Sequence, residues 1–185
     1  MGTFTATRDL ADELMRVEGK AEIIHGEVVH FPMSGEMPVC AAQEIFLSLH
    51  SHVKRLGQGR AYTDGMDYLV WLPRRQSFRP DASYYVGPRA GMKFLQGAPT
   101  FAVEVRSESD YGPAAEREMA AKRADYYAAG TLVVWDVDLL SEEVVRVFQN
   151  GNAELPAAVY RRGQTAEAEL AVPGWSMPVD DLFAA

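Results

Sequence analysis

With a single cysteine, Cys40, among its 185 residues, the chain can form no internal disulfide, and it reads as a protein of a reducing, cytosolic compartment. No window approaches the roughly 18 uncharged apolar residues that a membrane span requires. The opening Met1-Gly2-Thr3-Phe4-Thr5 has neither the basic region nor the apolar run of a secretory leader. Internal repeats and low-complexity tracts are absent too. Positive charge is scarce: 18 Lys and Arg against 26 Asp and Glu give a formal charge of -8 and a pI near 5.0. Duplex-binding domains draw much of their affinity from phosphate neutralisation by a basic face, so this balance argues against long duplex DNA. Carboxylates at a metal site weaken that objection, because a bound cation neutralises them. Local basic clusters also exist, at Arg74-Arg75 with Arg79 and at Arg161-Arg162.

What is present is ordinary globular material, 48% hydrophobic and 24% charged, of a length that suits a single domain over 1–185. Leu10, Leu14 and Val17 recur at helical spacing between a Thr7 cap and a Gly19 stop. Ala21 to Val29 reads as two strands about the turn His25-Gly26. Val39 to Leu56 is an amphipathic helix closed by Gly57, after a loop from Pro32 to Pro38. Arg60 to Leu72 reads as one long strand, Pro73 to Arg79 as a basic turn, and Asp81 to Val86 as a strand before a loop from Gly87 to Pro99. A central strand is expected at Thr100 to Val105 and a helix from Pro113 to Ala129 with Gly130 as its cap. Thr131 to Val137 should pair in a hairpin with Val144 to Gln149, followed by the turn Asn150-Gly151-Asn152. Ala157 to Arg161 and Glu167 to Val172 are strand-like pieces before an irregular tail. This order implies an α/β (α+β) fold: a mixed central β-sheet flanked by helices, with added N- and C-terminal hairpins.

Two acids on neighbouring strand-like segments stand out. In Phe101-Ala102-Val103-Glu104-Val105-Arg106, alternation puts Ala102, Glu104 and Arg106 on one face and Phe101, Val103 and Val105 on the other. A carboxylate inside such an apolar segment is costly unless it is paired or binds a metal. Glu104 either pairs with Arg106, two positions along, or holds a cation. Asp81, after Arg79-Pro80, either terminates a turn or joins Glu104. Adjacent strands lie about 4.8 Å apart, so both carboxylates can reach one ion. Magnesium suits two carboxylates with a backbone oxygen, such as the carbonyl of Val105, and retained waters.

Lys122, on the Pro113 helix, either pairs with Glu118 four residues before it or offsets charge on a phosphate. Arg106 competes for the second role, but its very high pKa makes it a poor general base. Glu22 and Glu27 cannot be told apart as site residues by their chemistry. His50 and His52, two apart on a helix, do not face each other as metal ligands would. Gly57-Gln58-Gly59 matches no phosphate loop. Tyr84, Tyr85, Tyr126, Tyr127 and Trp135 read as core and dimer packing.

Taken together, these residues resemble the Uma-type restriction endonuclease family of the PD-(D/E)XK nuclease superfamily, from Glu22 to about Leu182. Glu22-Ile23-Ile24-His25-Gly26-Glu27 is similar to its early Glu-Leu-Ile-Asp-Gly-Glu segment. Arg79-Pro80-Asp81 resembles its Pro-Asp motif, and Val103-Glu104-Val105-Arg106-Ser107 its Glu-Val-Leu-Ser motif. Lys122, Tyr126, Gly130 and Trp135 fall on its downstream Lys, Tyr, Gly and Trp. Val172-Pro173-Gly174-Trp175 resembles its Pro-Gly-Phe ending. The departures are Cys40-Ala41-Ala42-Gln43 where a His is usual, His25 for Asp, Glu118 for Asp, Glu108 for Pro, and Arg106 for an apolar residue.

The resemblance implies a restriction-endonuclease-like core and a Mg- or Mn-dependent endonuclease acting on nucleic acid, DNA in the first instance; a homodimer is what cutting two strands would call for. It implies Asp81 and Glu104 as metal ligands, Lys122 as a helix-borne catalytic lysine, and Glu22 as a further acid. A nuclease fold without catalysis, serving as a binding or assembly module, is the alternative that the acidic balance and Arg106 suggest.

Overall fold

A computed structural model describes residues 9–184. A helix (α1) covers residues 9–14 and buries Leu14; Thr7, its expected cap, lies outside the described residues. Strands β1 (Lys20–Ile24) and β2 (Glu27–Phe31) form the expected hairpin. Its two-residue turn has positive φ at both His25 (52°) and Gly26 (76°), the mirror-image turn that matches strand twist. Helix α2 spans Glu36–Leu56, three residues longer at its start than expected. Pro38 does not delay it, because proline in a first helical turn costs no intrahelical hydrogen bond. Gly57 ends α2 in the left-handed conformation, its N–H on the Val53 carbonyl.

The expected long strand from Arg60 to Leu72 is broken. It forms β3 (Arg60–Thr63) and β4 (Tyr68–Leu69), separated by a turn in which Asp64 bonds the Gly65 N–H. The next elements are β5 (Ser77–Phe78), β6 (Ala82–Tyr85), β7 (Leu95–Gln96), β8 (Phe101–Val105), helix α3 (Pro113–Ala128) and β9 (Val133–Val137). They are followed by β10 (Val145–Gln149), β11 (Ala158–Tyr160), β12 (Thr165–Glu167), β13 (Ser176–Pro178) and a 3₁₀ turn, Val179–Phe183. Glu167 to Val172 is therefore not a strand. Glu167 ends β12, and the tail expected to be irregular supplies its partner β13.

The central sheet has the order β11-β10-β9-β8-β6-β3. All its pairs are antiparallel except β8–β9, which α3 connects as a parallel crossover. One face carries Phe101, Val103 and Val105 into a core with Ile45, Leu49 and Val53 of α2 and Trp175 of the C-terminal segment. The other carries Ala102 and Val134 against Tyr126 of α3 and Tyr68 and Phe78 of the small sheet β5-β4-β7. The alternation read in the sequence thus sends Glu104 to the α3 side. Both faces of β8 are covered, which explains its nearly continuous apolar run.

Candidate functional site

Glu104 and Asp136 are register partners near the C-terminal ends of the parallel strands β8 and β9, where ligands of parallel sheets usually bind. Asp81 sits just before β6, at the point where the antiparallel ladder to β8 ends. Its N–H donates to the Val103 carbonyl (3.0 Å), and its Oδ2 accepts the Val105 N–H (2.7 Å), so Asp81 brackets Glu104 from both sides. The hairpin β1–β2 closes the site. His25 N–H bonds the Arg74 carbonyl (2.7 Å), Gln76 N–H bonds the Ile23 carbonyl (2.8 Å), and the Ile23 N–H bonds Ser77 Oγ (2.7 Å). That edge pairing carries Lys20 and Glu22, two apart on one face of β1, toward the acids.

Glu22 is fully buried and Glu27 is exposed at the hairpin tip, which separates the two carboxylates. Glu22 accepts hydrogen bonds from Arg75 and from the Arg79 N–H (3.0 Å), and pairs with Lys122 (2.9 Å). Lys122 also reaches Glu104 Oε1 (2.8 Å), the same oxygen that receives the Tyr126 hydroxyl (2.6 Å). Lys122 and Tyr126 lie four apart and share one face of α3, which is why both arrive there. The surface pair between Glu118 and Lys122 is not made, for Glu118 binds Arg74 instead (2.8 Å). Lys20 holds Asp81 Oδ1 at 2.6 Å. A cavity of about 310 Å³ opens onto Lys20, Glu22, Asp81, Glu104 and Lys122.

Arg106 lines the same cavity but takes different partners. The pair with Glu104 does not form. Its Nε and Nη2 donate to Asp136 (2.8 Å each), its Nη1 and Nη2 to Glu116, and its side chain is 1% exposed. Arg123 adds a further bond to Asp136 (3.1 Å).

Burial acts on both Glu22 and Glu104, and the neighbours decide the outcome. Desolvation pushes Glu22 upward, but the charges of Lys122 and Arg75 and the Arg79 N–H outweigh it and hold the carboxyl at about 2. Burial also lifts Glu104, and there Lys122 and Lys20 offset it only in part, so its carboxyl lies above the usual range. Desolvation lowers Lys20, but Asp81 and Glu104 reverse the sign and keep its ammonium charged. Burial beside Glu104 drives Tyr126 well up, so its proton stays on as a donor.

Asp81 and Glu104 fit a hard divalent cation better than a soft one. Both are carboxylates, and the bonds from Tyr126 and Lys122 fall on Oε1 of Glu104, leaving Oε2 without a protein donor among the described residues. The Val105 N–H points at Asp81; the carbonyl of the same residue leaves the strand on that side too. Among the described residues no three His, Cys, Asp or Glu side chains gather into a closed metal cage. Two carboxylates and a carbonyl suit Mg²⁺ or Mn²⁺ with several retained waters.

A family model described as "Uma2: Putative restriction endonuclease" matches residues 9–180. The chain belongs to the Uma2 family. Among solved structures, this Uma2 chain is similar to a "putative nuclease belonging to DUF820" from Anabaena variabilis. The TM-score is 0.72 at 19% identity, over 94% of this chain and 97% of that one. At that identity the likeness speaks for the fold, a mixed α+β architecture with a mixed central sheet. None of the curated proteins compared with the chain matches it. Among the described residues, no helix is long and apolar enough to cross a membrane.

In this Uma2 protein the structure brings Glu22, Asp81, Glu104 and Lys122 to one cavity and turns Arg106 toward Asp136. Sequence reasoning missed Lys20 and Arg75. Lys20 carried a usable signal, its two-residue spacing from Glu22 on a strand. Arg75 stood out only as part of a basic cluster, and nothing local pointed to its partners, since Glu22 and Asp125 lie about fifty residues away on either side.

Proposed function

We propose that the protein is a metal-dependent endonuclease hydrolysing phosphodiester bonds in nucleic acid, DNA in the first instance, with Asp81, Glu104 and the Val105 carbonyl holding Mg²⁺ or Mn²⁺. The observation that carries this reading is the convergence of Asp81, Glu104 and Lys122 on one cavity in a chain of a restriction endonuclease family. The ion, when bound, supplies an activated water and neutralises charge on phosphorus. Lys122, held between Glu22 and Glu104, lines the cavity, where its ammonium would stabilise the charge that develops on a phosphate oxygen. Glu22 holds Lys122 in place from the opposite side, and Tyr126 fixes the rotamer of Glu104. Arg106 is a positioning residue in this reading, since Asp136 and Glu116 occupy its guanidinium. Cutting both strands of a duplex would take two copies, a homodimer.

Cleavage or nicking of single- and double-stranded DNA and RNA with added Mn²⁺ tests the proposal. Asp81→Ala and Glu104→Ala should each lower the rate by a factor of about 10³ or more, the scale of losing a principal electrostatic group. Wild-type activity in either variant would remove these residues from the site.

The second reading is a nuclease fold that binds without cutting, and the pairing of Lys20 with Asp81 favours it: a cation already satisfies one of the two acids. Calorimetric titration with Mn²⁺ separates the two readings. Binding that Asp81→Asn abolishes supports the enzyme, and its absence supports the module.

A further inference from the structure

Asp81 has two carboxylate oxygens, and the fold uses them differently. Oδ2 is pinned by the Val105 N–H at 2.7 Å, as part of the end of the sheet. Oδ1 is the oxygen left for a ligand, and Lys20 Nζ occupies it at 2.6 Å. We propose that Lys20 is the resident counter-cation of Asp81, and that a divalent cation enters this site by displacing its ammonium. The inference rests on the reading of Asp81 and Glu104 as metal ligands, and it names what controls their loading.

Charge and connectivity single out Lys20 among the cations present. Three carboxylates, Glu22, Asp81 and Glu104, face three cations, Lys20, Lys122 and Arg75. Each of the three carboxylates therefore has a cation partner before any metal arrives, and a divalent ion reaches an occupied carboxylate oxygen only by displacing that partner. Leaving a buried acid without its cation is costly. Arg75 cannot leave, being 3% exposed and bound to both Glu22 and Asp125. Lys122 bridges Glu22 and Glu104, so its release strands two acids. Lys20 pairs with Asp81 alone among the described acids, and its side chain is 15% exposed. It also sits at the first position of β1, on a four-carbon stem with rotamer freedom to swing outward. Of the three it is the cation whose movement breaks one contact and opens one oxygen.

The test is metal affinity rather than turnover. Titration calorimetry with Mn²⁺ on the wild type, Lys20→Met and Lys20→Arg should show Lys20→Met binding at least about tenfold tighter, a difference of about 1.4 kcal/mol. Lys20→Arg, which keeps a cation on Asp81, should bind no more tightly than the wild type. A second readout needs no variant: acetic anhydride labelling of Lys20 in the wild type, followed by mass spectrometry, should rise on saturation with Mn²⁺. Equal or weaker binding by a folded Lys20→Met, or Lys20 labelling that Mn²⁺ leaves unchanged, overturns the proposal. If Asp81→Asn still abolishes binding in that case, the metal site itself stands. If neither wild type nor Lys20→Met binds Mn²⁺, the metal reading falls along with this one.

Discussion

Arg106 follows β8 with its guanidinium shared between Asp136 and Glu116, while Lys122 lines the same cavity between Glu22 and Glu104. Removing either cation strands acids, but the consequences differ. Arg106→Gln leaves the nearly inaccessible Asp136 with Arg123 alone and should cost about 3–5 kcal/mol, read as a lowered urea midpoint. Lys122→Met should abolish cleavage at a temperature where circular dichroism still reports a folded chain, because Arg75 continues to compensate Glu22. Glu22 also predicts a pH dependence. Its folded carboxyl, at about 2, lies below the 4.5 of an ordinary glutamate, so its contribution to stability is complete above pH 4.5 and fades as the pH falls toward 2. Glu104, shifted upward, works in the opposite sense and favours the fold as it takes up a proton. Thermal melts of wild type and Glu22→Gln should therefore differ most above pH 4.5 and converge toward pH 2.

Individual elements owe their limits to local backbone chemistry. Gly59, in the turn between α2 and β3, has φ of +71°, and a Cβ there would lie 2.3 Å from the Tyr84 ring. Gly59→Ala combines left-handed strain with a clash against a buried side chain, and should destabilise by about 2–4 kcal/mol in urea titration. The hairpin β1–β2 matters differently: strand alternation puts Lys20 and Glu22 on one face of β1, and the bonds of β1 to residues 74–77 bring that face to the acids. Glu104 and Lys122 reach one another because the crossover helix α3 follows β8 and lies on its Ala102 face.

At the scale of the whole molecule, the C-terminal segment completes the core on the α2 face. Trp175 packs against Trp135 (5.0 Å between centroids) and Phe101 (5.6 Å), and its indole N–H bonds Ser48 of α2 (3.1 Å). These side chains lie directly behind the strand that carries Glu104. Trp175→Ala should cost about 3–5 kcal/mol, read as a lowered thermal midpoint by circular dichroism. A chain truncated before Val172 should lose β13 and the 3₁₀ turn, exposing α2 and the sheet.

Periodicity and turn chemistry were legible from residues alone, because both are local. Two-residue alternation in Phe101–Val105 placed Glu104 opposite Val103 and Val105; the pairs His25-Gly26 and Asn150-Gly151 marked their turns, and both adopt positive φ. The resemblance to the Uma-type family implied Asp81, Glu104, Lys122 and Glu22 as a set, and the structure lines one cavity with all four. The boundaries that failed have separate causes: Pro38 is tolerated in the first turn of α2, an Asp-Gly turn breaks Arg60–Leu72, and the distant partner strand β13 sets the end of β12 at Glu167. Only the tertiary structure decided which charges meet. Lys20 finds Asp81 across 61 positions, Arg75 finds Glu22 across 53, and Arg106 bypasses Glu104, two residues away, for Asp136, thirty away. Ion pairing depends on distance in space and on desolvation, and sheet order sets both, so adjacency along the chain carried no information about it.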